Sequence, residues 1–165
     1  MSTIQYERAL ALLEAPEKYP GLAPRKGIAL LRVWMYPSFR PCAAWSILES
    51  GKSFFVRRVV WDQVPTVDSQ PITFGAESPV VEESFSGLLS ELRTMQLSPF
   101  ALASTIGIDG TSYGVEVGGF GKSGFMSWWG KPPVGWAPLE AWHARAIKQL
   151  ESLLPSSTSE LPTSE

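Results

Sequence analysis

Residues 109 to 142, DGTSYGVEVGGFGKSGFMSWWGKPPVGWAPLEAW, run together a tight turn, two strands, a tryptophan pair, a proline elbow and a helix start. Asp109-Gly110 is the dipeptide of a type I′ turn, whose two central residues must both reach positive φ at low cost. It predicts that a strand at about Thr105 to Ile108 meets one at Thr111 to Gly118, with a third at Gly124 to Trp129. Pro132-Pro133 and Pro138 then introduce a final helix with Leu139, Trp142, Ala146, Leu150 and Leu153 inward.

The upstream half has the same cadence. Strand-like runs at Gly27 to Tyr36, Cys42 to Glu49 and Ser53 to Asp62 read as a meander, turned at Ser50-Gly51-Lys52 and joined at the other end by the stiffer Pro37-Ser38-Phe39-Arg40-Pro41. In the first run Ala29, Leu31, Val33 and Met35 form an apolar, core-facing side, while Arg32, Trp34 and Tyr36 lie on the other. Arg57 and Arg58 fall on opposite faces of the third run. At least one of them must be covered and needs an acceptor, for which Asp62, Glu49 and Glu116 are candidates.

A linker over residues 63 to 78 leads to an expected helix with Ser78 as N-cap, Pro79 at its first position and Glu82-Glu83 favouring the dipole. Its buried stripe would be Val81, Phe85, Leu88, Leu92 and Met95. At the start, Ser2-Thr3-Ile4-Gln5 has capping-box spacing, and Tyr6, Leu10 and Leu13 predict a helix over residues 3 to 14 that Pro16 and Pro20-Gly21 end. The expected fold is α+β: a mostly antiparallel sheet from two three-stranded meanders, helices on one face, order α-βββ-α-βββ-α. A single domain should span residues 1 to 154, with 155 to 165 too poor in apolar side chains to order themselves.

Length and composition agree. A chain of 165 residues, 44% hydrophobic and 18% charged, can bury one substantial core. No apolar run approaches the roughly 18 residues of a membrane span, and Glu7 and Arg8 interrupt the N-terminus where a secretory signal needs an apolar stretch. Cys42 has no second cysteine to pair with, which fits a reducing compartment, so a cytoplasmic location is expected.

A net charge of -2 argues against general nucleic-acid binding, but the charges are segregated along the chain. Arg25 to Arg58 holds seven basic residues against Glu49, and Asp62 to Glu91 holds six acids and no base. The two stretches either neutralise one another or steer a charged partner.

Catalytic signatures are scarce. One histidine and one cysteine cannot supply the usual zinc clusters, so neither a metal nor a cofactor is expected. His143 sits on the flank of the last helix within reach of Glu140, a boundary position. Cys42 has no helix N-terminus to acidify it as a nucleophile partner for His143. Gly118-Gly119-Phe120-Gly121-Lys122-Ser123 departs from the phosphate-loop spacing and precedes a strand, so it reads as a hairpin loop. Asp109 and Glu116 are two nearby acids, but the turn already accounts for Asp109.

Trp128-Trp129 places rings on opposite faces of one strand. One should enter the core; the other is covered by a helix or available to a partner.

FVRRVVWDQ (55 to 63), DGTSYGVEV (109 to 117) and WWGKPPVGWAPLEAW (128 to 142) together resemble small bacterial proteins that sit beside polymorphic or contact-delivered toxins and act as their immunity proteins. The resemblance implies a non-catalytic protein that binds a cognate toxin and blocks it. A basic nuclease domain would suit an acidic and aromatic surface built from Asp62, Asp68, Glu77, Glu82, Glu83, Trp128 and Trp129. The alternative is a module binding a small molecule or single-stranded nucleic acid through Arg32, Trp34, Tyr36 and Arg57, where rings stack beside cations. An enzyme would instead require a cleft with perturbed acids around Glu116, Asp62 or His143.

Overall fold

A computed structural model describes residues 3–99, 109–119 and 124–155. Its described elements are α1 (Thr3–Glu14), β1 (Ile28–Pro37), β2 (Cys42–Ser50), β3 (Ser53–Trp61), β4 (Thr73–Val80), α2 (Ser86–Thr94), β5 (Thr111–Val117), β6 (Gly124–Trp129) and α3 (Ala137–Ser152), with short 3-10 turns at Pro16–Lys18 and Glu82–Ser84. All pairings are antiparallel, in one six-stranded sheet of order β4-β3-β2-β1-β5-β6. The fold is α+β, as expected. The strand expected at 105–108 and most of the tail lie outside the described residues.

The path differs from two meanders in one place. Residues 73–80, expected to be linker and helix start, form β4, so Ser78 and Pro79 are strand residues and not a cap and first helical position. β4 is an edge strand, the place in a sheet where a proline such as Pro79, which has no N–H, is tolerated. Helix α2 starts later and is shorter; Val81 is exposed, whereas Phe85, Leu88 and Leu92 are buried. Four consecutive strands thus form the meander β1 to β4, and the β5–β6 hairpin adds to the free side of β1.

Helices cover both faces, not one. Leu31, Val33, Trp45, Ile47, Val56 and Val115 meet α2 and α3 through Phe85, Leu88, Leu139, Trp142, Ala146 and Leu150. On the opposite face Trp34, Cys42, Ala44, Val59 and Trp61 meet Ala9 and Leu13 of α1. A bulge between Ala29 and Leu31 ends the strict alternation of β1, and Leu30 packs against the first core. The buried stripe of α1 is Gln5, Ala9 and Leu13: Leu13 is buried as expected, and the other two places fall one residue before the expected Tyr6 and Leu10. Gln5 takes a core place because its side-chain amide donates to the Val64 carbonyl at 2.6 Å.

Asp109-Gly110 does different work from the turn expected of it. Gly110 does not take positive φ. Its backbone is tied to the β1–β2 connection: Ser38 N–H donates to Gly110 O at 2.9 Å, and Gly110 N–H donates to Ser38 Oγ at 3.1 Å. A Cβ there would stand 2.8 Å from Trp129 Nε1, so close packing of the indole is what requires glycine. Gly51, at φ 65°, does make the β2–β3 turn.

Candidate functional site

Helix α1 lies mainly over the β2–β3 half of its face, which leaves most of the β1–β5–β6 half open beside it. Alternation and register arrange that half as three rows. Arg32 lies opposite Glu116, which lies opposite Phe125; Trp34, Gly114 and Ser127 form the next row; Tyr36, Ser112 and Trp129 form the last. Above this floor, Tyr6, Leu10 and Glu14, spaced four apart on α1, form a wall. Floor and wall enclose a hollow of about 500 Å³, closed at one end by Pro37, Ser38, Cys42 and Gln63.

Gly114 makes the floor possible. The Trp34 ring lies where a Cβ at 114 would be, so a mid-strand glycine lets the indole lie flat on β5. Trp34 is only 4% exposed. Phe125 stacks on it at 5.4 Å between centroids, with 24° between planes, while remaining 62% exposed. The Arg32 guanidinium sits 4.8 Å from the Trp34 ring centroid, a cation–π distance.

Two residues that line this hollow each carry a buried donor without an acceptor. Arg32 spends Nε and Nη2 on Glu116 Oε2, at 3.1 and 2.9 Å, which leaves Nη1 buried and unpartnered; the Tyr36 hydroxyl is likewise buried without a partner. Unsatisfied buried donors are uncommon and costly, at about 1–3 kcal/mol each. Burial pushes the Tyr36 phenol well above its usual range, so it stays protonated and able to donate. Burial likewise lifts the Cys42 thiol to about 12, despite the Gln63 amide 3.0 Å away, so it is no nucleophile at neutral pH. A second hollow of about 250 Å³ adjoins the first at Glu14 and Arg32 and adds Glu17 and Glu116 to its lining.

The other residues singled out by the sequence are not gathered in one place. Arg57 is fully buried, its guanidinium donating to Glu77 and to the carbonyls of Pro16, Glu17 and Ala23. Arg58 is held on the opposite face by Glu151. Neither uses Asp62, Glu49 or Glu116; their acceptors come from β4, read as linker, and from α3, far along the chain.

Glu77 bridges Arg57 and Arg25, the latter at 2.6 Å. Asp62 and Asp68 flank the loop before β4, where Asp68 accepts from the Gln70 N–H at 3.1 Å. Glu82 and Glu83 lie beyond the other end of this eight-residue strand, about 25 Å of extended chain away. Trp128 is buried against Tyr113 and His143, whereas Trp129 faces the hollow.

His143 is a core residue and not a boundary one. It is 3% exposed, with Nε2 3.0 Å from the Trp34 carbonyl, and burial pushes its pKa down to about 4 against the opposing pull of backbone hydrogen bonds with Trp34 and Gly114. It packs with the α2–α3 core, and Cys42 with the opposite one, so the two do not meet. Glu116 is paired with Arg32, and Asp109 stands at the far end of β5, so these acids do not act together.

Glu14, Ser112, Phe125, Ser127 and Gln63 line the hollow without having been singled out. Period-two alternation back from Trp129 puts Phe125 and Ser127 on its face. Nothing local marks Glu14 or Gln63. Among the described residues no group of histidine, cysteine or acidic side chains is placed to hold a metal ion, and no helix is long and apolar enough to cross a membrane. No family model, curated protein or solved structure matches the chain.

Proposed function

We propose that the protein is a non-catalytic binding module that takes a small molecule into the hollow between α1 and the open β1–β5–β6 floor. One observation carries this: Arg32 and Tyr36, each with a buried donor that has no acceptor, line the same aromatic-lined space. A concave, largely apolar site with a few convergent polar groups is the usual form of a small-molecule pocket, and about 500 Å³ is an ordinary size for one. The shifted phenol and thiol are both held protonated, which suits recognition better than chemistry. Of the alternative set, Arg32, Trp34 and Tyr36 belong to this site, while Arg57 supports the fold beneath the Pro16–Lys18 turn.

A small-molecule library screened by NMR tests it. Ligands should perturb the Trp129 indole and Tyr36 ring signals, and Ser127→Trp, which fills the hollow from an exposed position on β6, should abolish those shifts while the protein stays folded. Perturbations confined to other surfaces would remove the proposal.

The immunity-type reading has its own support. Val67, Ile72 and Phe74 are exposed beside Asp62 and Asp68 at one end of edge strand β4, giving an apolar and acidic surface for a basic toxin domain. Co-expression with the product of the adjacent gene tests it: a stable complex weakened by Phe74→Lys supports the reading, and absence of both complex and protection removes it.

A further inference from the structure

We infer, resting on the binding site proposed above, that the occupant of the hollow is an uncharged planar heteroaromatic bearing a ring carbonyl, the chemistry of a nucleobase presented as a free nucleoside. Three features together select this class.

The unmet groups are donors on both sides of Trp34: Arg32 Nη1 two residues before it on β1 and the Tyr36 hydroxyl two residues after it. A ligand that answers them must supply acceptor oxygens or nitrogens. Carbonyl and ring-nitrogen acceptors on a rigid plane do so without an internal rotor to freeze.

The apolar lining is aromatic. Trp34 is too buried to offer a full face, so contact falls to the partly covered Tyr36 and Trp129 and to the exposed Phe125, which favour a flat partner.

Charge decides against anions. The charge of Arg32 is already matched by Glu116 behind it, and Glu14 lines the hollow itself, so the space meets one unanswered carboxylate and no unanswered guanidinium. A phosphate or carboxylate there would meet net repulsion, which disfavours nucleotides and single-stranded nucleic acid relative to the bare base or nucleoside.

The test is calorimetric titration of the full chain with uridine, cytidine and guanosine, and with adenosine, whose base has no ring carbonyl, as the control. Each is compared with its 5′-monophosphate, a short oligonucleotide and the cationic aromatic tryptamine. At least one of the three carbonyl-bearing nucleosides should bind with saturation and more tightly than adenosine, and its monophosphate at least tenfold more weakly. Glu14→Gln should narrow that gap. Tyr36→Phe should lower nucleoside affinity about tenfold while leaving the melting temperature unchanged or raised, because the hydroxyl it removes has no partner. A structural role for Tyr36 would lower both.

Tighter binding of a monophosphate, an oligonucleotide or tryptamine, with Trp129 signals perturbed, would overturn the ligand class and leave the site standing. Ligand-independent Trp129 signals across the whole panel and the wider library would overturn both.

Discussion

Glu77 shows how much one side chain carries here. Burial alone would push its carboxyl up. Hydrogen bonds from Arg25 and Arg57, with their charges, outweigh that and hold it below the ordinary carboxylate range. Removing it strands the fully buried Arg57, so Glu77→Gln should cost about 3 to 5 kcal/mol in urea denaturation. Arg25→Gln should cost clearly less, since Arg57 keeps its partner. His143 gives a pH signature. Its folded pKa of about 4 lies below the ordinary 6.5, so between those values the unfolded chain binds a proton that the folded chain refuses. The stability tied to neutral His143 is full above about pH 6.5 and is lost as pH falls toward 4, on the order of 3 kcal/mol. Glu77 adds a loss of the same sign, confined to more acid pH. Denaturation curves at pH 7 and pH 4.5 should therefore lie closer together for His143→Gln than for the parent. From sequence, the need of Arg57 and Arg58 for acceptors was legible because two consecutive strand residues cannot both face water here. Their identities were not, because Glu77 and Glu151 are brought by other elements.

At the scale of elements, the long periodic segments were the legible ones. α1, the first three strands, β5, β6 and α3 all lie where alternation, turns and prolines put them. β4 was hidden because TFGAESPV has little alternation and carries proline and glycine; it is a strand only because β3 offers it a ladder. The Ser78-Pro79 helix signal was locally sound and lost to that tertiary pairing. Gly114 makes the contrast testable. Glycine to alanine in a strand ordinarily helps, but at 114 the new methyl enters the Trp34 ring, so Gly114→Ala should destabilise by about 1 to 3 kcal/mol and shift tryptophan emission. No change in either would mean that the indole does not rest on β5. Trp128 and Trp129 were correctly placed on opposite faces by alternation, and only the helices decide which is covered: α3 buries Trp128, while α1 stops short of Trp129.

Across the whole molecule, the strand order makes a graded prediction. β1 and β2 have neighbours on both sides and lie at the middle of the sheet, β2 with helices over both faces, whereas β4 and β6 are edges. Hydrogen exchange should be slowest in Leu31, Val33, Ala44 and Ile47 and faster in β4 and β6; uniform protection would contradict this sheet order. Sequence alone determined what depends on near neighbours: α+β class, strand alternation, the Arg32–Trp34–Tyr36 file and the proline-led last helix. Those follow from backbone geometry over a few residues, which side-chain pattern records directly. Tertiary structure alone decided that β5 joins β1 across the chain, that helices occupy both faces, that Glu77 and Glu151 answer the buried arginines, and that α1 leaves an open floor with two donors unmet. Each of these joins groups twenty or more residues apart, whose meeting depends on burial and pairing summed over the whole sheet and leaves no local trace in the order of residues.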